Sequence, residues 1–232
     1  MPQALKFNLD VNFLCIEGVL GVGKTSLCSF LGRQLSARVV REDVEGNPFL
    51  AKFYSDRRAY AFQTQLWFLL SRHRQLSEMV AQQDLFHAVT VSDYMFAKDY
   101  IFASMNLEDD ELALYTGIAR TLETSVPHPD LVVYLQASTE TLLRRIDKRG
   151  RPYESGIDEE YINDLNEAYN HFFFHYTASP LLVINTNELD FVDDARDYRE
   201  VMEQILNAKP GINIYNPLSQ KDKMVMYNQA GG

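Results

Sequence analysis

The chain has 232 residues, of which 46% are hydrophobic and 23% charged, and its formal net charge is −10 at pH 7. This length suits one α/β domain with a sizeable core, and the composition is that of a globular protein. The negative charge argues against a nucleic-acid partner, because nucleic-acid phosphates would be repelled. The longest apolar run, residues 66–70, is far too short to cross a bilayer, so we expect no membrane partner.

Five short runs rich in Val, Leu and Ile recur along the chain and are separated by helical patterns. Such runs are typical of strands buried on both faces, and they predict an α/β fold with a five-stranded parallel sheet flanked by helices. We expect residues 1–208 to form a single domain and residues 209–232 a loosely held tail, although apolar residues near its start could dock on the body. The predicted strands are residues 13–17, 38–41, 88–92, 131–135 and 181–185.

A phosphate-binding loop follows the first predicted strand. Residues 18–25 fit the pattern G-x-x-x-x-G-K-[ST], and apolar residues at helical spacing begin directly after it. The glycines allow the backbone to fold over an anion, and the helix N-terminus directs free amides towards it. Lys24 can reach the β- and γ-phosphates, and the Thr25 hydroxyl can bind Mg²⁺. The residues predicted to bind a nucleoside triphosphate are Gly18, Gly21, Val22, Gly23, Lys24, Thr25 and Ser26.

Acidic residues follow the second and third predicted strands. Glu42 and Asp43 come after the second strand, and Asp93 comes after the third. Ligands of open parallel sheets bind beyond the carboxyl ends of the strands. We therefore expect these carboxylates to meet at the edge of the sheet that holds the triphosphate.

Residues 57–81 predict one long helix that carries polar side chains inside an apolar stripe. At about 100° per residue, Arg58, Gln65 and Arg72 lie close to one line whose flanks are apolar. An unpaired polar group there would cost about 1–3 kcal/mol. Gln65 and Arg72 therefore either pair with backbone or a buried acid, or they point into a pocket and bind a polar ligand. Glutamine carries a donor and an acceptor side by side, which matches the edge of a nucleobase.

A basic helix end follows the fourth predicted strand. Residues 139–148 predict a helix on which Arg145 and Arg149 share one face, and Arg151 follows the glycine that ends it. In so acidic a chain, three guanidinium groups beside a glycine favour a mobile lid that closes on transferring phosphates over a merely solvated helix end. This predicted arginine-rich lid covers about residues 145–156. The sequence has no N-K-x-D guanine-reading motif, which separates the chain from switch GTPases.

These motifs together resemble the deoxynucleoside kinase family. The resemblance extends over about residues 13–192 and includes the phosphate-binding loop, Glu42, an aromatic–Gln–Ser–Arg helix, and the run R-I-D-K-R-G-R at 145–151 followed by Glu154. Within the family the chain looks most similar to the bacterial branch that accepts purine deoxynucleosides. The resemblance implies a P-loop kinase fold, ATP as phosphate donor, Mg²⁺, a deoxynucleoside substrate and a homodimer.

The resemblance also implies roles for individual residues. Glu42 corresponds to the carboxylate that takes the proton from the 5′-hydroxyl of the sugar. Tyr54 and Glu154 correspond to residues that hold the 3′-hydroxyl, Gln65 corresponds to the amide that reads the base, and Arg72 should also reach the base. The lid arginines, expected around the transferring phosphate, are Arg145, Arg149 and Arg151.

One departure from the family concerns the segment after the third strand. The family usually has an acid followed by Arg-Ser and a further Asp a few residues on, whereas this chain has Asp93-Tyr94 and later Lys98-Asp99. Asp93 can be the acidic residue that lies near Mg²⁺, beside the Thr25 hydroxyl, and Asp99 can be the carboxylate near the base. The family arginine between the substrate hydroxyl and the phosphate is replaced by Tyr94. Either Lys98 or a lid arginine compensates, or the reaction has weakened.

The leading hypothesis is therefore ATP-dependent phosphorylation of the 5′-hydroxyl of a deoxynucleoside. One alternative is a nucleoside monophosphate kinase of the thymidylate type, for which Arg57, Arg58 and Arg72 could meet an acceptor phosphate. Another is a nucleotide-binding regulatory module that has lost catalysis. The two cysteines provide no disulfide framework and residues 1–10 show no signal-peptide pattern, so we expect a cytoplasmic protein.

Overall fold

The structure, a computed structural model, describes residues 6–81, 86–151, 154 and 157–217. They form a parallel sheet with strand order β2-β3-β1-β4-β5-β6, flanked by helices. The strands are β1 (Phe13–Gly18), β2 (Arg38–Val40), β3 (Thr90–Ser92), β4 (Leu131–Gln136), β5 (Leu181–Asn185) and β6 (Ile212–Tyr215). The helices are α1 (Lys24–Gln34), α2 (Leu50–Ser55), α3 (Arg57–Ala81), α4 (Lys98–Asn106), α5 (Asp109–Glu123), α6 (Thr139–Arg149), α7 (Glu159–Phe174) and α8 (Ala195–Leu206).

The central strands β1 and β4 are buried along almost their whole length, as expected of a parallel sheet covered by helices. Their register places Gly18 beside Leu135. A Cβ atom on Gly18 would lie 2.5 Å from the carbonyl oxygen of Leu135. The glycine therefore allows the ends of the two strands to approach closely beneath the phosphate-binding loop.

The prediction of five strands is wrong, because the described residues contain a sixth strand. β6 lies in the segment predicted to be a loose tail and pairs with the edge of β5. Ile212 is 57% exposed and Ile214 is 70% exposed, so this edge strand lacks the buried apolar run by which the other strands were recognised. Tyr215 donates a hydrogen bond to Glu200 of α8, which ties the strand to the body.

The remaining elements lie close to their predicted positions. α3 spans the predicted residues, and β2 and β3 are shorter than predicted. α6 is capped at its start by Ser138, whose hydroxyl accepts a hydrogen bond from the amide of Thr141. It ends at Gly150, which has φ 64° and donates its amide to Ile146. No helix of the described residues is long and apolar enough to span a membrane.

Because all six strands are parallel, their carboxyl ends meet along one edge of the sheet. The loop after β1, the segment after β2 and the segment after β3 emerge there side by side. This edge carries the candidate site, as expected for an open parallel sheet.

Candidate active site

The phosphate-binding loop joins β1 to α1 through glycines with positive φ. Gly21 has φ 86° and Gly23 has φ 107°, values that strongly favour glycine. Gly23 is also the N-cap of α1, and it offers no side chain to the first helical amides. The first turn holds no acidic residue either, so these amides are left for an anion.

A large cavity, which we call the triphosphate cavity, lies beside this loop and has a volume of about 1200 Å³. Every predicted triphosphate contact except Gly18 lines it. α6 and the loop after β5 form another wall, which includes Asn187 and Phe191. A Cβ atom on Gly23 would lie 2.7 Å from the ring of Phe191, so this loop packs closely on the phosphate-binding loop.

Lys24 lies across the phosphate-binding loop. Its Nζ donates to the carbonyl of Gly18 at 2.6 Å and to that of Val19 at 3.1 Å. Burial, and then the nearby charge of Lys98, lower the pKa of Lys24 to about 8. Neutral carbonyl partners hold an ammonium less strongly than carboxylates do, so a phosphate can take it from them.

Asp93 connects the loop helix to the segment after β2. Its Oδ2 accepts the hydroxyl of Thr25 at 2.9 Å, and its Oδ1 accepts the backbone amide of Glu42 at 2.8 Å. A hydroxyl and a carboxylate beside a triphosphate site are the hard oxygen donors that Mg²⁺ prefers, so this pair fits a magnesium ion. Asp43 instead accepts the amide of Gly46 in its own turn.

Four charged side chains form a largely buried cluster at the same edge. Oε1 of Glu42 accepts from Nε of Arg72 at 2.8 Å and from Nη2 of the same residue, whereas Oε2 accepts from Nζ of Lys98 at 3.0 Å. Arg72 also donates to Asp99. Burial alone would raise the pKa of Glu42, but Arg72 and Lys98 outweigh it and lower this pKa to about 2. The Glu42 carboxylate is therefore ionised and firmly oriented.

A smaller cavity, which we call the acceptor cavity, contains residues predicted to bind the deoxynucleoside. Gln65 and Arg72 both line it, and neither is more than 3% exposed. Both residues therefore line the cavity, and Arg72 in addition pairs with Glu42 and Asp99. Asp99 lies behind Arg72 and is outside the lining. The other predicted residues in the lining are Glu42, Tyr54, Glu154, Lys24 and Arg151.

The two cavities share a boundary. Lys24, Glu42 and Arg151 line both of them. A carboxylate and two cations therefore stand where the triphosphate side meets the acceptor side.

Arg145 does not point freely into either cavity. Its guanidinium donates to the carbonyls of Thr186 at 2.8 Å and Leu189 at 3.0 Å, to the Thr186 hydroxyl at 3.0 Å, and to the carbonyl of Val22 at 3.4 Å. Burial lowers the pKa of Arg145. In this arrangement Arg145 clamps the loop after β5 onto the phosphate-binding loop.

The other two lid arginines lie close to Glu154. Arg149 donates to both carboxylate oxygens of Glu154, at 2.6 and 3.2 Å, and Arg151 lies 3.8 Å from the nearer one. Residues 152, 153, 155 and 156 of the predicted lid lie outside the described residues. The structure brings the lid arginines to the cavity edge, where two of them meet the predicted sugar-binding carboxylate.

Tyr94, which replaces the family arginine, points away from both cavities. It is fully buried, and its hydroxyl donates to Oε1 of Gln75 on α3 at 2.8 Å. Gln75 in turn donates to the carbonyl of Arg41. Tyr94 therefore links β3 to α3 and lines neither cavity.

Two arginines considered for an acceptor phosphate are paired elsewhere. Arg57 bonds Asp158 at 2.8 Å, and Arg58 bonds Glu108 at 2.7 Å. Neither lines a cavity. Arg58 lies on the same face of α3 as Gln65 and Arg72, but the acceptor cavity begins further along the helix. Helical spacing alone therefore could not show that Arg58 lies outside the cavity.

Sequence reasoning missed some of the residues that shape the site. Glu17 is fully buried and accepts the amides of Met95 at 2.8 Å and Gly18 at 3.2 Å, and burial raises its pKa. The sequence signal for Glu17 was a carboxylate within an otherwise apolar strand.

Aromatic rings also line the acceptor cavity, and their helical spacing in the sequence could not be distinguished from that of core residues. These rings are Phe53, Phe68, Phe102, Tyr161 and Tyr169.

The sequence profile of the deoxynucleoside kinase family matches residues 14–209. The chain belongs to the deoxynucleoside kinase family. It is 32% identical over 197 residues to a deoxyguanosine kinase of Bacillus subtilis (strain 168), covering 83% of this chain and 95% of that protein. It is 29% identical over 209 residues to a deoxyadenosine kinase of Lactobacillus acidophilus, covering 84% and 95%.

A solved structure of deoxyadenosine kinase from M. mycoides with bound dATP has the same fold as the chain described here. The TM-score is 0.73 at 27% identity, with 83% of this chain and 98% of that chain covered. The predicted family, the parallel α/β fold and the assignment as a kinase of deoxynucleosides are confirmed. ATP as phosphate donor follows from the family.

Proposed function

We propose that this kinase transfers the γ-phosphoryl group of ATP to the 5′-hydroxyl of a purine deoxynucleoside. The position of Glu42 carries the proposal, because this residue lines both the triphosphate cavity and the acceptor cavity. A hydroxyl that enters from the acceptor side meets this carboxylate beside Lys24 and the phosphate-binding loop. Proximity of this kind accounts for much of phosphoryl-transfer catalysis.

In the proposed reaction the 5′-oxygen forms a bond to the γ-phosphorus as the bond to the bridging oxygen breaks. The proton of the hydroxyl passes to Glu42, and ADP leaves with the bridging oxygen. Glu42 first orients the hydroxyl and accepts its proton late, because in a loose transition state the bond to the attacking oxygen is only slightly formed. Lys24 and the amides of α1 hold the donor phosphates.

The magnesium site is also a proposal, and the residues that would hold the ion are Thr25 and Asp93. Their oxygens lie within 2.9 Å of each other at the mouth of the phosphate-binding loop. When bound, Mg²⁺ would neutralise charge on the β- and γ-phosphates. Asp93 additionally fixes the backbone at Glu42, so the ion site and the carboxylate share one support.

The proposed roles at the nucleoside follow the layout of the acceptor cavity. Gln65 reads the base through its paired donor and acceptor, Arg72 supports the base from beside it, and Asp99 holds Arg72. Tyr54 and Glu154 hold the 3′-hydroxyl. The preference for purines is supported by the named substrates of the relatives, deoxyguanosine and deoxyadenosine.

The lid arginines are proposed to act at different stages. Arg149 and Arg151 pair with Glu154 in the structure and would turn towards the transferring phosphate when the lid closes. Arg145 is the exception, because carbonyl groups already take up its guanidinium. We propose that it acts by positioning the loop after β5.

The alternative of a monophosphate kinase has little support in the acceptor cavity. An acceptor phosphate needs cations to meet it, yet Arg57 and Arg58 pair outside the cavity and Arg72 pairs with Glu42 and Asp99. The three arginines considered for such a phosphate are therefore all engaged with carboxylates.

The deciding experiment incubates the wild-type protein with Mg-ATP and each of the four deoxynucleosides separately, with product analysis by chromatography. We expect 5′-monophosphate from deoxyguanosine or deoxyadenosine at the highest rate. Parallel reactions with the corresponding monophosphates should give no diphosphate. Diphosphate formation would instead establish a monophosphate kinase, and ATP binding without any transfer would establish a regulatory module.

A homodimer and a cytoplasmic location complete the proposal. Leu70 of α3 and Leu114 of α5 are large apolar side chains about half exposed on helices that pack together, which favours a partner on that side. Light scattering during gel filtration would give the mass of the protein in solution.

The proposed cytoplasmic location is supported by the cysteines. Cys15 and Cys28 are both buried and free, as expected of a protein from a reducing compartment.

A further inference from the structure

Lys98 is a buried cation to which the reaction proposed above assigns no role. It begins α4, is only 3% exposed, and donates its Nζ to Oε2 of Glu42 at 3.0 Å. The ring of Phe102 lies beneath the ammonium, 5.8 Å from it to the centroid. Burying an ammonium is costly, so its position calls for a reason beyond packing.

The Glu42 carboxylate does not depend on Lys98 for its orientation. Arg72 donates to Oε1 of Glu42 through two nitrogens and is itself held by Asp99. Lys98 alone occupies the other oxygen. It is a compact point charge on a flexible stem, so it can move without disturbing the Arg72–Glu42 pair.

Lys98 also lies close to the transfer point. It lines the acceptor cavity together with Glu42 and Lys24. After burial, the charge of Lys98 is the main influence that lowers the pKa of Lys24. One cation therefore stands on the loop side of the Glu42 carboxylate and the other on the acceptor side.

Lys98 donates to Oε2 of Glu42, whereas the other groups considered for this role have other partners. Tyr94 points towards Gln75, and Arg149 and Arg151 lie with Glu154. Of the compensations considered for the missing family arginine, the geometry favours Lys98.

We propose that Lys98 is a catalytic residue whose ammonium passes from Oε2 of Glu42 to a non-bridging oxygen of the phosphoryl group in transit. This proposal rests on the proposed function. The bond from the 5′-oxygen to phosphorus forms, the bond to the bridging oxygen breaks, and the proton goes to Oε2 of Glu42, which Lys98 has vacated. Lys98 keeps its own proton throughout and neutralises charge on the phosphoryl oxygens.

The test compares Lys98→Met, Lys98→Gln and Lys98→Arg with the wild type in single-turnover transfer from ATP to the preferred deoxynucleoside. Nucleoside binding is measured separately by isothermal titration calorimetry. Lys52→Met is the matched control, because Lys52 lies on α2 and lines neither cavity.

We expect Lys98→Met to slow transfer about 10²–10³-fold, the usual loss for one group that stabilises developing charge. Nucleoside affinity should change by less than about tenfold. Lys98→Arg should recover part of the rate because it retains the charge, and Lys52→Met should behave as wild type. If Lys98→Met melts below the assay temperature, Lys98→Gln, which still donates to Glu42 but lacks the charge, should show the same loss.

Transfer within about threefold of wild type in either neutral variant would overturn the role of Lys98. The role would also be overturned if Lys98→Arg did not recover the rate and weaker nucleoside binding explained the whole loss. Absence of product from the wild-type protein would instead contradict the proposed function itself.

Discussion

At the scale of single residues, the site is governed by how each charge is paired. Glu42 meets Arg72 on one oxygen and Lys98 on the other, and its pKa is lowered to about 2. A carboxylate of this kind is a weak base but a well-oriented acceptor. It suits a reaction in which the hydroxyl is held in place and its proton is accepted late in the transfer.

Glu42→Gln should therefore reduce turnover by about 10²–10⁴-fold while the nucleoside still binds. An amide cannot accept the proton, but it still fills the same place at the cavity boundary. Steady-state kinetics together with nucleoside titration would measure the two effects separately. Glu78→Gln, on the exposed face of α3, is the control, and near-normal turnover of Glu42→Gln would contradict the assignment.

Gln65→Ala should change base selectivity more than it changes affinity for ATP. The amide faces the acceptor cavity and lines no part of the triphosphate cavity. Loss of a hydrogen-bonding partner for the base costs about 1–3 kcal/mol, which is roughly a tenfold to hundredfold loss of preference. Comparison of kcat/KM for the four deoxynucleosides measures it, with the exposed Gln63→Ala as control. An unchanged order of preference would show that Gln65 does not read the base.

At the scale of elements, the triphosphate cavity depends on three segments that meet at one side chain. Arg145 of α6 donates to the carbonyl of Val22 in the phosphate-binding loop and to carbonyls of Thr186 and Leu189 after β5. Phe191 from the same segment packs over Gly23. The spacing of basic residues predicts a phosphate ligand at Arg145, whereas the contacts of its guanidinium in the structure are with carbonyl and hydroxyl groups of the cavity wall.

Arg145→Met should lower stability by about 1–3 kcal/mol, because several carbonyl groups lose a charged donor. It should also raise the KM for ATP, while the KM for the nucleoside changes little, since Arg145 lines only the triphosphate cavity. Thermal unfolding and steady-state kinetics would measure both effects. Arg199→Met, at an exposed position of α8, is the control. A lower kcat with unchanged KM for ATP would point instead to a direct contact with the transferring phosphate.

At the scale of the whole molecule, the sheet extends one strand beyond the predicted domain. β6 covers the edge of β5, a strand whose Leu181 and Ile184 are almost completely buried. It is itself poorly covered, so its contribution comes from backbone hydrogen bonds and from the bond between Tyr215 and Glu200. Edge strands of this kind are hard to recognise from hydrophobic pattern.

A chain that ends at residue 208 should be less stable than one that ends at residue 217, by about 1–3 kcal/mol for the lost strand pairing. Because the two chains differ only by residues 209–217, the comparison isolates β6. Urea unfolding of both proteins would measure the difference. Equal unfolding midpoints would show that β6 adds nothing to the stability of the sheet.

The sequence by itself determined the features that depend on residues near one another in the chain. The phosphate-binding loop is a contiguous motif between a strand and a helix, and the placement of Gln65 and Arg72 inside an apolar stripe follows from the helical period. The cluster of basic residues at the end of α6 could also be recognised from the sequence, because its members lie close together in the chain. These local patterns were enough for the family, the parallel sheet and the kinase activity.

Only the tertiary structure decided the partner of each charged group. It pairs Arg72 with Glu42 and Asp99, Lys98 with Glu42, and Arg145 with the loop after β5. These partners lie far apart in the chain, and helix packing on the sheet brings them together. A basic residue at a given helical position has the same local pattern whether it meets a phosphate, a carbonyl or a carboxylate, so its role depends on contacts that no sequence period contains.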